Sequence, residues 1–182
     1  RRDEDLETQL EIAVSPEDDV EVRRLAITNH AGRPREIEVT SYAEMVLGSA
    51  ADDLAHPAFN KLFVQTEFIP ESRALLCGRR PRSPDEARAW AIHVLSVEGR
   101  IQGAVEWETD RARFLGRGRD PSRPVALDGR ALSGTTGAVL DPIMSLRQRI
   151  RLAPGGFLRL SFSTGMDSSR EQALAMAQKY QD

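Results

Sequence analysis

An antiparallel all-β fold with stacked sheets is what this sequence predicts, and three observations carry the prediction. Apolar residues recur at every second position through at least seven segments, the period of a strand with one buried face. Clusters of Gly, Pro, Asp and Asn separate those segments, as chain reversals require. From Glu36 to Leu47, Ile37, Val39, Ala43, Met45 and Leu47 occupy one face and Tyr42 and Val46 the other, the pattern of an inner strand covered on both sides.

In chain order, Leu6, Leu10, Ile12 and Val14 predict a strand over 6–14 with that face buried, closed by the turn Ser15-Pro16-Glu17-Asp18-Asp19. A second strand runs from Val20 to Asn29. Its alternation slips between Val22 and Leu25, so a β-bulge is expected at Arg23-Arg24. His30 to Pro34 then turns a hairpin into the strand Glu36 to Leu47. Residues 48–60 are small, acidic and irregular, with one helical turn at Ala51 to Leu54, before strands at Leu62 to Phe68 and Ser72 to Gly78.

The basic turn Arg79 to Pro84 has no interleaved aromatic and reads as a solvated loop. Trp90 to Glu98 and Gly103 to Thr109 predict a hairpin about Gly99-Arg100, with Trp90, Trp107 and His93 as packing residues. Leu146 to Leu152 and Phe157 to Thr164 predict a closing hairpin about Ala153-Pro154-Gly155-Gly156, Ile150 and Leu152 facing Leu158, Leu160 and Phe162. Last, Ser168 and Glu171 stand at capping-box spacing before an amphipathic helix through Leu174, Ala177 and Tyr180, expected to leave the β body.

Between the two outer groups of strands, Asp110 to Leu146 is too rich in Gly, Pro and charge for long regular structure, yet holds buried-type residues at Phe114, Leu115, Val139 and Leu140. It reads as a structured loop over the β body, and a loop of this length inside a compact domain is usually functional or disordered. Gly116 and Gly118 permit sharp turns on either side of Arg117.

The 182 residues suit one domain, burying roughly 70% of its extended surface. A net charge of -3 argues against a nucleic-acid binder, which needs a basic surplus. All basic residues but Lys61 and Lys179 are arginine, as a GC-rich coding sequence produces. The single Cys77 excludes an intrachain disulfide and reads as a buried strand thiol. No apolar run approaches the roughly 18 residues of a membrane span. Both ends have the look of cuts from something longer, and no signal peptide opens the chain.

Chemistry-bearing patterns are sparse. His30, His56 and His93 lack a nucleophile elbow, and Gly116-Arg117-Gly118-Arg119 lacks the lysine of a phosphate loop. Asp110 with Asp141 is the carboxylate pair to weigh for glycoside chemistry. No catalytic set, metal site or cofactor is predicted from the residues.

Several stretches, taken in order, resemble one family: Glu7 to Ile12, Val22-Arg23-Arg24 with Thr28-Asn29, Glu36 to Tyr42, His56-Pro57-Ala58-Phe59 with Leu62-Phe63, Asp110-Arg111 with Phe114-Leu115-Gly116-Arg117, Gly137 with Leu140-Asp141-Pro142, and Leu152-Ala153-Pro154-Gly155. Together they are similar to the β-sandwich domain that precedes the helical barrel in glycoside hydrolase family 94 phosphorylases, most of all in bacterial cyclic β-1,2-glucan synthases. The resemblance implies a galactose mutarotase-like supersandwich over 1–166, lacking its upstream strands, and over 167–182 the start of a linker helix toward a missing (α/α)6 barrel.

By the same resemblance the catalytic residues lie in that barrel, and none is expected here. β-1,2-glucan is the implied carbohydrate, with inorganic phosphate a possible substrate of the full enzyme. The parent protein is expected in the bacterial inner membrane, this domain being soluble and cytoplasmic. A free-standing lectin-like module is the alternative, and it requires an exposed aromatic platform. Asp110, Arg111, Arg117 and Arg119 are the candidates for a substrate rim or domain interface. Arg117 has two open readings: a guanidinium held against the barrel or a partner subunit near the substrate cleft, or a surface arginine paired with Asp110 or Asp120. Unpaired sheet edges left by missing strands predict self-association.

Overall fold

Residues 1–181, described by a computed structural model, form two antiparallel sheets packed face to face. In chain order the elements are β1 (Arg2–Asp3), β2 (Leu6–Val14), β3 (Val20–Asn29), β4 (Arg35–Thr40), β5 (Ala43–Glu44), α1 (Ala50–Ala55), α2 (Pro57–Lys61), β6 (Val64–Ile69), β7 (Ala74–Arg79), β8 (Trp90–Glu98), β9 (Ile101–Asp110), α3 (Arg111–Leu115), β10 (Gly137–Ala138), β11 (Pro142–Leu152), β12 (Phe157–Asp167) and α4 (Arg170–Lys179). The larger sheet is ordered β1-β2-β3-β12-β8-β7-β6-β10. In the smaller one, β11 is flanked by β9 on one side and by β4 and β5, end to end, on the other.

The all-β antiparallel expectation holds, while three of the expected hairpins do not. β3 and β4, β8 and β9, and β11 and β12 each lie in different sheets, so the turns between them carry the chain across the sandwich. Both strands of such a pair still bury one face, and they do so against each other: Ile150 and Leu152 of β11 meet Leu158, Leu160 and Phe162 of β12 in the inter-sheet core. Gly99, at the β8–β9 crossing, holds φ +146°, and a Cβ there would stand 2.9 Å from Leu158. Asn29 ties two crossings together: its buried amide donates to the carbonyls of Arg33 and Ala153, both at 2.9 Å.

No bulge occurs at Arg23-Arg24; β3 pairs without a register break with both β2 and β12. The slip in alternation reflects two cores instead. Val20 and Val22 face α4, whereas Leu25 and Ile27 face the inter-sheet core. The strand expected over 36–47 breaks after Thr40, where the Ser41 hydroxyl accepts from Leu146 N–H and Tyr42 turns toward Phe114. Irregular 48–60 contains two short helices, α1 capped by Ser49. The cap of α4 is Ser169, one residue later than the capping box requires, and Asp167 accepts from the Ser169 N–H.

Nor does α4 leave the body. Ala173, Met176 and Ala177 pack on the outer face of the larger sheet against Val20, Leu76, Ile92 and Val94. Asp182, the last residue of the expected linker segment, lies outside the described residues. A further correction concerns β2: Leu6 packs on the inter-sheet core, but Leu10, Ile12 and Val14, expected on the same buried face, are exposed. Among the described residues no helix is long and apolar enough to cross a membrane.

Candidate functional site

Asp110 ends β9 and caps α3: its Oδ1 accepts from the N–H groups of Ala112 (2.9 Å) and Arg113 (3.4 Å). Capping fixes the direction in which the next residues emerge. Phe114 and Leu115 go inward to a small separate core with Ala126 and Ile143, and the Phe114 ring lies 4.9 Å from that of Tyr42. Gly116 closes the helix at φ +82° and Gly118 follows at +72°, so the chain reverses twice about Arg117. Arg117 is exposed and forms no hydrogen bond or ion pair among the described residues. Its pairing with Asp110 or Asp120 does not occur: Asp110 is the cap, and Asp120 accepts from Ser122.

Arg119 is engaged, its Nη1 lying 2.7 Å from Asp128 Oδ2 across a polar cleft of about 590 Å3 that both residues line with Arg123 and Ser122. The Asp128 bond holds the Arg119 pKa up, and the Arg119 bond holds Asp128 below the usual carboxylate range. Arg111 is the centre of a cluster the sequence does not announce. Its Nε lies 2.8 Å from Glu44 Oε1 and 3.1 Å from Tyr42 OH, and its Nη1 3.4 Å from Asp141 Oδ2. Asp141 also receives Lys61 Nζ at 2.6 Å, and Tyr42 OH donates to Glu44 at 2.7 Å. Residues from β5, α2, α3 and the approach to β11 therefore meet at one half-buried knot with two cations and two carboxylates.

Burial first, then the Glu44 bond, pushes the Tyr42 hydroxyl up to about 12. The Tyr42 bond, before that of Arg111, keeps Glu44 low, and the Glu44 bond raises Arg111. Asp110 with Asp141 is thus no acid/base pair, since one carboxylate caps a helix and the other is held by a guanidinium and an ammonium. Leu140, expected to be buried, is 79% exposed beside this knot in sequence.

Two buried charges, also absent from the sequence reading, hold the long loop down. Arg147 reaches from β11 to the carbonyls of Ala126 and Arg130 (2.7 Å for the latter) and to Thr40 Oγ1 at 2.9 Å. Glu108 accepts from the N–H groups of Thr109 and Asp110, both at 3.0 Å, and from the hydroxyls of Ser133 and Thr135. An arginine alternating with apolar residues in a strand normally marks a solvated face, so nothing in the spacing singled out Arg147.

Both tryptophans are packing residues: Trp107 stacks on Phe68 at 3.7 Å, and Trp90 borders the α4 core. The basic turn is not free of aromatics in three dimensions. The guanidiniums of Arg79, Arg80 and Arg82 lie 5.5 to 6.0 Å from the Phe63 ring, while Arg79 pairs with Glu86 and Arg82 with Asp52. No group of three or more His, Cys, Asp or Glu able to hold a metal occurs among the described residues.

Comparison with known proteins supplies what the geometry leaves open. The family described as "Glycosyl hydrolase 94, supersandwich domain" matches residues 1–182. The cyclic beta-(1,2)-glucan synthase NdvB of Rhizobium meliloti (strain 1021) is 39% identical over 168 residues, which is 92% of this chain and 6% of that protein. Among solved structures a polysaccharide lyase superposes with a TM-score of 0.52 at 16% identity, covering 96% of this chain and 22% of the lyase, a likeness of fold alone.

Proposed function

The chain belongs to the glycosyl hydrolase 94 supersandwich family, and on that premise we propose that it is the non-catalytic, carbohydrate-associated β-sandwich of a cyclic β-1,2-glucan synthase. In this reading it supports a phosphorylase-type (α/α)6 barrel of the same polypeptide that acts on β-glucan chains, with inorganic phosphate as a substrate of the whole enzyme. The parent protein is membrane-bound and this domain lies outside the bilayer, on the cytoplasmic side. The observation that carries the reading is the 39% identity to a cyclic glucan synthase across nearly the whole chain; of the four candidate residues, Asp110, Arg111 and Arg119 are engaged and Arg117 has no partner among the described residues. Copies of the chain also self-associate through sheet edges.

Arg117 is the residue this reading assigns to the surface facing the barrel or a partner subunit, since a planar guanidinium bonds a carboxylate, phosphate or sugar hydroxyl equally well. Arg119, Asp110 and Arg111 shape the loop that presents it. The test is Arg117→Ala in the full-length synthase, assayed for phosphorolysis and for the length of the glucan made. Weakened activity with an unchanged fold supports the assignment; full activity leaves the loop a structural role only. A free-standing lectin module remains the competitor, and tight β-1,2-glucan binding by the chain alone would favour it.

A further inference from the structure

A cavity of about 640 Å3 opens between residues 44–52, the turn 82–89, the start of β8 and the end of β12, and Arg79 at the end of β7 is built into its wall. The Arg79 side chain is 2% exposed. Its Nε lies 3.1 Å from Glu86 Oε1 and its Nη1 donates to the Asn60 carbonyl at 2.8 Å, while Nη2 is buried with no partner among the described residues. The Asn60 carboxamide is likewise buried with neither atom bonded, and it lies against Gly48 of the same wall, where a Cβ would stand 2.6 Å from Asn60 Nδ2. Buried polar atoms without a partner are rare, and three of them meet at this one wall. Beside them Leu47 holds φ +49°, a left-handed conformation that is costly for a branched side chain and that collects at ligand sites.

The rest of the lining says what fits. Met45, Val46, Leu47, Ala89, Ala91 and Met166 give the cavity apolar walls, and no aromatic ring among the described residues lines it. The guanidiniums of Arg79, Arg82 and Arg88 stand with the carboxylates of Glu44, Asp52 and Glu86, so donors and acceptors are balanced and the formal charges cancel. An anion would face those carboxylates, and a wholly apolar ligand would leave Arg79 Nη2 and the Asn60 amide orphaned. A pyranose suits both features, because its C–H edges match the apolar walls while each hydroxyl donates and accepts at once. Size agrees, since small-ligand sites run about 300–1,000 Å3 and are mostly apolar with a few converging polar groups. We infer that this cavity binds a glucosyl unit of a β-1,2-glucan chain, with a hydroxyl oxygen accepting from Arg79 Nη2. The choice of sugar rests on the glucan synthase reading; the site and its residues go beyond it. Without a stacking ring the hold is weak, in the millimolar range.

Titrating this chain with β-1,2-glucan oligosaccharides, while its backbone amides are followed by NMR, tests the site. The amides of 45–49 and 86–91 are expected to shift and to saturate at millimolar sugar, and inorganic phosphate at the same concentration is expected to leave them in place. Ala87 lines the cavity yet is exposed, so Ala87→Leu fills the mouth without removing a group the fold needs, and it is expected to abolish the shifts. Arg79→Met, checked for fold by circular dichroism, should raise the half-saturating concentration by removing the donor. If that variant does not fold, Ala87→Leu decides alone. Absence of shifts, or shifts confined to other residues, overturns the inference and leaves the barrel-supporting reading intact, since that rests on sequence identity. Phosphate moving these amides in place of the sugar overturns the ligand class, and binding by Ala87→Leu at the parent's strength overturns the location. Micromolar binding at the same amides keeps the site and overturns the supporting-domain reading in favour of a lectin.

Discussion

His93 Nε2 lies 2.7 Å from Ser41 Oγ, a bond that ties β8 of the larger sheet to the break between β4 and β5 of the smaller one. Its Nδ1 lies 2.8 Å from Thr164 Oγ1 on β12, and the ring stacks on Phe162. Burial, with a lesser push from Arg23, depresses its pKa from 6.5 to about 4. The folded protein therefore holds a neutral imidazole where the unfolded chain takes a proton. Stability from this group is complete above pH 6.5 and is lost as pH falls toward 4, where the loss reaches about 3 kcal/mol. Lowered carboxylates such as Glu44 and Asp128 add their losses only at lower pH, so the window from 6.5 to 5 belongs to His93. Urea unfolding across that window is expected to show falling stability in the parent and a nearly flat profile in His93→Gln.

Asn29 carries the second expectation. Its buried side chain donates to Arg33 O and Ala153 O and accepts from Ala31 N–H at 3.0 Å, joining the β3–β4 and β11–β12 crossings. Asn29→Ala orphans those groups together, at about 1–3 kcal/mol for each one left buried without water. Thermal unfolding is expected to fall well below the parent, whereas Asn→Ala on a solvated turn would leave it unchanged.

How far the sequence reached follows from these crossings. Alternation correctly located most strands and which parity was apolar. It could not say whether a turn reverses the chain within a sheet or carries it to the facing sheet, because both bury one face of each strand and both use Gly, Pro and Asn. The same blindness explains β2: alternation marks Leu10, Ile12 and Val14 as a face to be covered, but not what covers it. At the candidate site, Phe114, Leu115 and the glycines were legible because anchors and positive-φ turns have local signatures. The Arg111 knot was not, since Glu44, Lys61 and Asp141 converge on it from distant positions.

Arg147 is the third test. Its side chain is 2% exposed, and it satisfies two loop carbonyls that no other group among the described residues reaches. Removing one partner of a buried charged contact costs about 3–5 kcal/mol. Arg147→Ala is expected to lose that much in urea unfolding and to open 116–131 to proteolysis before the sheets unfold. Arg147→Lys should rescue little, because an ammonium cannot span Ala126, Arg130 and Thr40 with one planar fork. Proteolysis unchanged from the parent would mean that the loop is held by Glu108 alone.

Phe114 and Arg117 sit three residues apart on the same loop and are expected to fail in opposite ways. Phe114 is buried against Tyr42, Leu115, Ala126 and Ile143, a core too small to close over a missing ring. Phe114→Ala is therefore expected to cost about 3–5 kcal/mol. The damage should spread to the Arg111 knot, because Tyr42, which bonds Glu44 and Arg111, loses the ring it packs on. Arg117 touches nothing that the fold needs, so Arg117→Ala should stay within about 0.5 kcal/mol of the parent. Paired urea titrations decide this. A large loss for Arg117→Ala would give the guanidinium a structural partner, and a small loss for Phe114→Ala would show that α3 is held by its Asp110 cap and the Arg111 knot without the ring.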